Sequence, residues 1–247
     1  MTKLLWVMGW AAGTGLGAPR EAGQLARVLE GQIGSYGIPM QVVLILTLLT
    51  VLPGLLVSAT PLLRITVVLH FLRQALGTQT APSNQVLASL ALFLTVLIMK
   101  PVALDVYANG WQPFERGELG MAQAWEEGAK PLRTFLMKYC RDKDLRLLIE
   151  ISGGKAPARP EDLDLSVVVP AYVLSELRTS FQIGAMLFLP FLVVDIVVAS
   201  ITLSIGMVQL PPVMLSAPFK IFLFVLADGW NLVVGSLFRS FQTGGPV

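Results

Sequence analysis

Residues Phe181–Phe241 read FQIGAMLFLPFLVVDIVVASITLSIGMVQLPPVMLSAPFKIFLFVLADGWNLVVGSLFRSF, and this stretch decides the fold. It contains two long apolar runs, Ile183–Leu203 and Val213–Phe238, joined by the short connector Ser204–Pro212. Each run is long enough to supply the ~20 residues with which a helix crosses the hydrocarbon core of a bilayer. The connector ends in two adjacent prolines, which cannot continue a helix because they lack the backbone N–H and clash with the preceding turn. The stretch therefore predicts a helical hairpin with a tight, partly apolar tip.

Three charged residues interrupt the apolar arms of this hairpin: Asp195 in the first arm, and Lys220 and Asp228 in the second. A charge within a hydrocarbon span costs at least ~2.5 kcal/mol on insertion scales, so it usually faces protein or water. We predict buried polar positions at Asp195 and Asp228, held by ion pairs between helices or subunits. For Asp195 the sequence offers three donors: Lys220, Arg178 and a backbone N–H freed by Pro190. A structural role and a proton-carrying role for Asp195 both stay open.

The composition is that of a membrane protein. Hydrophobic residues make up 54% of the 247 residues, and charged residues make up 14%, against about 25% in an ordinary soluble domain. The mean hydropathy is +0.69. The net charge of +2 is small and unclustered, which argues against nucleic acid as a partner. A single cysteine, Cys140, and a single histidine, His70, exclude an internal disulfide and metal sites built from several such ligands.

The remainder of the chain is expected to fall into segments of different character. The predicted segments are a signal peptide at 1–18, a mobile linker at 19–37, N-terminal hydrophobic helices at 38–108, a polar helical region at 109–164, C-terminal helices with the hairpin at 165–242, and a tail at 243–247. The signal-peptide prediction rests on one lysine followed by a short apolar run and small residues. The first span, Ile38–Val57, is expected to be interrupted at Pro53.

The polar region differs most from the rest, because it holds 19 of the 34 Asp, Glu, Lys and Arg residues. Gly128 and Pro131 predict a break between a short helix at Met121–Glu127 and a longer helix at Leu132–Ile149. Cys140 falls on the apolar stripe of the longer helix and is expected to be a small core residue. After this region, Pro170 is expected near the start of a helix that runs directly into the hairpin.

Several long blocks of this sequence resemble one family, the FliP/SctR subunits of flagellar and virulence type III secretion systems. These blocks are LTLLTVLPGLLV at Leu46–Val57, RITVVLHFLRQALGTQTAPSNQVL at Arg64–Leu87, LALFLTVLIMKPV at Leu90–Val102, PAYVLSELRTSFQIG at Pro170–Gly184, LPFLVVDIVVASI at Leu189–Ile201 and LPPVMLSAPFKIFLFVLADGWNLVVGSL at Leu210–Leu237. The resemblance covers about Ile38–Gln242. The motifs Ser175-Glu176-Leu177 and Asp228-Gly229-Trp230 are similar to the flagellar branch.

The resemblance implies an all-α protein of elongated helical hairpins, multi-pass and membrane-type, that assembles into a helical export-gate ring. It implies that five copies join FliQ and FliR, together with other export-apparatus and basal-body ring proteins. Unfolded flagellar substrates would pass through the centre of this gate. It places the protein at the bacterial inner membrane, on the periplasmic side within the basal body. In such an assembly the apolar helices are held largely above the bilayer and pack on one another.

The resemblance also implies roles for particular residues. Glu176 and Lys220 lie at positions where the family suggests ion pairs between neighbouring subunits. The hairpin tip would close the pore as a gasket, and its residues here are Gly206, Met207, Val208, Gln209 and Leu210. The family usually has a methionine-rich tip, whereas only Met207 keeps that type in this sequence. Val208 and Leu210 are still apolar.

Two other functions remain open from the residues alone. In a small-solute or ion transporter, Asp195, Asp228 and Lys220 would line a path for substrate or protons. Such a protein would be stable alone or as a small oligomer, whereas a gate subunit would co-purify with FliQ and FliR. In a membrane enzyme, Asp195 and Asp228 would form a carboxylate pair, but no nucleophile, metal cluster or cofactor motif accompanies them. We therefore predict no enzyme activity and no cofactor.

Overall fold

The computed structural model describes residues 38–78, 80–153, 163–206 and 211–242, and every regular element in these ranges is helical. The elements are α1 (Ile38–Ser58), α2 (Leu62–Ala75), α3 (Asn84–Val106), a π-helical turn (Tyr107–Trp111), α4 (Gln112–Glu115), α5 (Met121–Tyr139), α6 (Asp142–Ile151), α7 (Leu165–Ser204), α8 (Pro212–Leu226) and α9 (Gly229–Gln242). The prediction of an all-α protein with long membrane-type helices is confirmed. The predicted signal peptide, linker and tail lie outside the described residues.

The described helices include candidates for membrane spans. Two continuous stretches, Asn84–Glu115 and Leu165–Ser204, are long and apolar enough to cross a bilayer. The number rises to four if each of two bent pairs, α1 with α2 and α8 with α9, forms one span. Pro53 lies inside α1 but does not end it, so the expected interruption of the first span is not a break in the helix.

The described residues divide into two units, one ending at Leu52 and the other beginning at Pro53. In the first unit the described part of α1 exposes its large apolar side chains, among them Leu48 and Leu49. In the second unit α2 forms the centre of one hydrophobic core. The side chains of Ile65, Val68, Leu69 and Leu72 are at most 1% exposed and pack with residues of α3, α7, α8 and α9. These residues follow one another at spacings of three, one and three, which places them on one face of the helix.

A second hydrophobic core joins the polar region to the hairpin. Phe135, Leu136 and Tyr139 of α5 pack there with Val168 and Tyr172 of α7 and with Phe241 of α9. The rings of Phe135 and Tyr139 lie 5.0 Å apart, and Tyr139 and Phe241 lie 5.2 Å apart. The first half of α7 and the end of α9 are therefore held by the same aromatic cluster.

The boundaries of the polar region differ from those predicted. The helix α5 runs without a break through Gly128 and Pro131, and the chain turns at Cys140 and Arg141 instead. Gly128 is buried against Gly110 of the π-helical turn, so the position predicted as a break is a packing contact. The burial of this contact outweighs the low helix propensity of glycine and proline.

The hairpin arms also differ in detail from the prediction. Pro170 lies inside α7, which begins at Leu165 after the capping residue Asp164. The hydrogen bond from the Ser166 amide lowers the pKa of the Asp164 carboxyl. The 40-residue α7 does run directly into the hairpin, as predicted. The second arm, predicted as one run, is two helices, α8 and α9, bent by 66° at Ala227 and Asp228.

Candidate functional site

The two arms of the hairpin carry the candidate site. The first arm, α7, ends at Ser204 and turns at Gly206, whose φ of +79° is the left-handed conformation that favours glycine. The second arm begins with α8 at Pro212. Four of the five predicted gasket residues, 207–210, lie outside the described residues. The site is therefore built here from the arms, which contain two clusters of buried polar groups.

The first cluster forms around Arg64 of α2. Its Nε donates to Oε2 of Glu176 at 2.7 Å, and its Nη2 donates to Oε1 of the same carboxylate. The two side chains are only 1% and 0% exposed. The remaining Nη1 donates to the hydroxyl of Ser240 at 3.1 Å. A bidentate pair of this kind is both strong and geometrically specific, so it fixes α2, α7 and α9 relative to one another.

Aromatic side chains complete this cluster. The guanidinium of Arg64 lies 4.0 Å from the ring centroid of Phe241 and 5.8 Å from that of Tyr139. Tyr139 also donates its hydroxyl hydrogen bond to the carbonyl of Phe241. We call Arg64, Glu176, Ser240 and Phe241 the Arg64 cluster. It fastens the C-terminal end of α9 to two other helices, α2 and α7, through charge, hydrogen bonds and cation–π contact.

The second cluster forms around Asp195 in the middle of the first arm. Lys220 of α8 donates to Oδ2 of Asp195 at 2.6 Å, and the Ser216 hydroxyl donates to Oδ1 at 2.5 Å. The Lys220 side chain is 3% exposed, whereas that of Asp195 is 28% exposed. We call these three residues the Asp195 cluster. Of the three donors expected for Asp195, the structure contains Lys220, and it adds Ser216.

Two substitutions at Asp195 are expected to distinguish the contribution of its hydrogen bonds to stability from that of its charge. In Asp195→Asn the amide oxygen still accepts from Ser216 or Lys220, so the chain keeps most of its stability. In Asp195→Ala the buried Lys220 ammonium loses its acceptor on α7, which costs about 1–3 kcal/mol, whereas the Ser216 hydroxyl keeps the Val213 carbonyl as an acceptor at 3.0 Å. We expect the midpoint of thermal unfolding in detergent to fall in the order wild type, Asp195→Asn, Asp195→Ala. Equal midpoints for the two variants would show that hydrogen bonding at Asp195 contributes nothing.

Asp228 lies where the second arm bends. It is exposed on this chain, although the sequence predicts a buried polar position there, because α8 ends before it and α9 starts after it. Its φ of +49° is left-handed, a conformation that non-glycine residues rarely adopt. Its carboxylate accepts a hydrogen bond from the Asn231 side-chain amide at 3.1 Å. Asp228 is therefore a bend residue and is separate from the Asp195 cluster.

The structure gives Glu176 and Lys220 partners within the same chain. Glu176 pairs with Arg64, and Lys220 pairs with Asp195. The ion pairs with neighbouring subunits that the resemblance implies stay predictions. Sequence reasoning missed Arg64 as the partner of Glu176, although one signal was present: Arg64, Val68 and Leu72 follow one another at spacings of four on the buried face of α2. An arginine on such a face requires a buried acceptor.

A third polar contact joins the polar region to α7. The hydroxyl of Ser175 donates to Asp144 of α6 at 2.7 Å and accepts from the Arg141 amide at 3.0 Å. The neighbouring Cys140 is half-buried, and burial raises the pKa of its thiol. Cys140 therefore behaves as a packed residue rather than a reactive one. Among the residues that the structure describes, no group of three or more His, Cys, Asp and Glu side chains could hold a metal ion.

Comparison with known proteins identifies the family. The profile of the FliP family matches residues 45–237, which is more than half of the chain. The chain belongs to the FliP family. All six sequence blocks that carry the resemblance lie within or next to this matched range. The prediction of family membership is confirmed.

Individual relatives agree with this family. The chain is 46% identical over 209 residues to the flagellar biosynthetic protein FliP of Pectobacterium carotovorum subsp. carotovorum, a match that covers 85% of this chain and 81% of the relative. It is 45% identical over 202 residues to the protein of the same description from Bacillus subtilis (strain 168), covering 82% and 91%. The protein of that description from Cereibacter sphaeroides is 46% identical over 215 residues, covering 87% and 71%. Membership of the FliP family and the long apolar helices together make this chain a membrane-type protein of flagellar biosynthesis.

Proposed function

We propose that this chain is a core channel subunit of the flagellar type III protein export gate. In this proposal five copies assemble with FliQ and FliR, in contact with other export-apparatus and basal-body ring proteins, at the inner membrane and on its periplasmic side. Unfolded flagellar substrates pass through the shared pore, and flagellum assembly requires it. The proposal includes no catalytic step and no nucleic acid. Membership of the FliP family supports it.

The observation that carries this proposal is the apolar surface of the hairpin arms. Leu189, Val193 and Ile196 of α7 are each 58–61% exposed, and on α8 Met214 and Phe222 are 72% and 64% exposed. The three residues of α7 follow one another at spacings of four and three and so lie on one face, and an exposed apolar face of this kind marks a contact with protein or lipid. Asp195 of the first arm and Lys220 of the second pair with each other between the arms. The arms are therefore suited to packing side by side with apolar neighbours around a common axis.

Within this proposal the hairpin tip, Gly206–Leu210, seals the closed pore. Copies of Met207, Val208 and Leu210 would come together near the axis, and a narrow hydrophobic constriction stops ions by dewetting. Gln209 would either bring water into this ring or form a hydrogen-bonded girdle with its copies. The left-handed φ of Gly206 lets the chain leave α7 sharply at the start of this tip.

Deletion of Met207–Gln209 is expected to make the gate leak while the complex still assembles. The reason is that the deletion removes two of the three apolar tip residues and leaves both arms intact. The measurement is the uptake of a small solute or ion by cells that express the chain with FliQ and FliR, alongside recovery of the complex on native gels. Deletion of Lys155–Pro157, in the connector between α6 and α7, is a control of equal length. An assembled tip deletion that leaks no more than this control would show that the seal lies elsewhere.

The alternative function, a small-solute or ion transporter subunit, makes a different prediction. It requires transport by the chain without FliQ and FliR, and a free carboxylate on the transport path. Asp195 is instead bonded to Lys220 and Ser216, so no observation at this site favours the alternative.

We also propose contacts of Glu176 and Lys220 with neighbouring subunits. Within the chain Glu176 already pairs with Arg64, and Lys220 already pairs with Asp195. A neighbouring subunit would therefore have to share Arg64 or Asp195.

A further inference from the structure

The two helices of the second arm are fastened in different ways. The buried residues of α9 are Gly229, Val233, Leu237, Ser240 and Phe241, a stripe along the whole helix. Its end is held by the fully buried Arg64 cluster. In contrast, α8 has only three buried residues, Ser216, Lys220 and Phe224, in a single row at spacings of four. The buried surface of α8 is therefore a single row of side chains, whereas that of α9 runs along the whole helix.

Two of the three buried residues of α8 bind the same carboxylate. Ser216 and Lys220 both donate to Asp195, one to each oxygen. The Asp195 carboxylate is 28% exposed on this chain, whereas the Glu176 carboxylate of the Arg64 cluster is 0% exposed. The polar contact between α8 and α7 is therefore less enclosed than the Arg64 cluster, and its two donors share one acceptor.

The third buried residue of α8 lies beside the bend. The ring of Phe224 packs against Trp230 at 5.4 Å and Phe191 at 6.4 Å between ring centroids. It also covers Gly229 so closely that a Cβ there would lie 2.2 Å from the ring. Next to it Asp228 holds a left-handed φ of +49°, which stores about 1–2 kcal/mol of backbone strain. At the bend, tightly packed side chains therefore adjoin a strained backbone conformation. This strain is relieved if the angle between α8 and α9 changes.

From these observations we infer that α8 is a lever, held closed on α7 by Asp195 and able to swing about Ala227–Gly229 while α9 stays fixed. Releasing the single carboxylate frees both Ser216 and Lys220, whereas the Arg64 cluster is untouched. The swing uncovers the side of α7 that faces α8, which includes Thr202 at 7% exposure. The further claim that this movement of α8 opens the export channel rests on the proposed function. The movement of α8 is inferred independently of that function.

Cysteine accessibility tests this lever in the full-length chain, in membranes of cells that also express FliQ and FliR. With Cys140 replaced by serine, Thr202→Cys reports on the surface covered by α8. Val233→Cys, on the inner face of α9 itself and at the same 7% exposure, is the matched control. The readout is the rate at which each cysteine reacts with a small methanethiosulfonate reagent, with and without Asp195→Ala.

We expect Asp195→Ala to raise the labelling rate of Thr202→Cys by about tenfold or more, because losing a shared acceptor shifts a local opening equilibrium by that order. The rate at Val233→Cys should not change, and Asp195→Asn should give an intermediate rate at Thr202→Cys. Unchanged labelling of Thr202→Cys would overturn the lever, since α8 would then be held by other contacts. Equal increases at both positions would also overturn it, since the whole unit would then have loosened. Neither readout depends on export, so a chain that moves as inferred but conducts no substrate would count against the proposed function alone.

Discussion

Arg64→Ala is expected to prevent recovery of the folded, assembled protein. The variant leaves the Glu176 carboxylate, which is 0% exposed, without its bidentate partner, and breaking a buried pair in this way costs about 3–5 kcal/mol. It also removes the donor to Ser240 and the cation that lies over Phe241. The total stability of a protein domain is only about 5–15 kcal/mol. We expect full-length protein in the membrane fraction, and the complex on native gels, to fall to a small fraction of the wild-type amount.

Two further variants make this prediction specific. Arg73→Ala removes an arginine from the same helix, but one whose strongest contact is to the exposed side chain of Asn84, so recovery should stay near that of wild type. The double variant Arg64→Met with Glu176→Leu replaces the pair by apolar side chains of similar volume, which is often neutral or stabilising. It should recover more complex than either Arg64→Ala or Glu176→Ala. If the double variant gave as little complex as the single variants, the pair would act through its geometry and not through buried charge.

Gly110→Ala is expected to have the second largest effect, on the packing of the π-helical turn against α5. A Cβ at Gly110 would lie 2.7 Å from the Cα of Gly128 and 2.8 Å from the Ala124 carbonyl oxygen. Both atoms belong to the backbone, so no side-chain rotation relieves the contact and α5 must move. Overpacking of this kind costs about 1–3 kcal/mol. The midpoint of thermal unfolding in detergent should fall clearly below that of wild type.

The control is Gly128→Ala, on the opposite side of the same contact. At Gly128 a Cβ would meet the Cα of Gly110 at 3.4 Å, and its other neighbours are 3.7 Å or more away. Alanine also favours a helix over glycine by about 1 kcal/mol. Gly128→Ala should therefore leave the midpoint within a few degrees of wild type. If the two variants lower the midpoint equally, the close approach at Gly110 is not what limits this packing.

The sequence predicted the arms of the hairpin well because their signals are local. Apolar length decides that the run Ile183–Leu203 is helical, and it lies within the 40-residue helix α7. The pairing of Asp195 with Lys220 was also within reach, because a charge in an apolar arm needs a partner on the facing arm. These inferences need no knowledge of distant contacts.

Other features could not be predicted because they depend on contacts between distant parts of the chain. Arg64 and Glu176 are 112 residues apart, and only the packing of α2 on α7 brings them together. Gly128 and Pro131 predict a helix break by propensity, yet α5 continues there because Gly128 lies against Gly110. The bend at Asp228 falls on an Asp-Gly pair, which is a local turn signal, but the length of the surrounding apolar run favoured one continuous helix.

Electron microscopy of the purified complex, co-expressed with FliQ and FliR, tests the central claim most directly. The proposal predicts five copies of this chain around one axis, with the tips Gly206–Leu210 converging on a central constriction and with α8 held on α7 through Asp195. The same preparation made without FliQ and FliR should yield little of this assembly. A complex without a shared central passage, or a chain that is fully stable and transports solutes without either partner, would contradict the account.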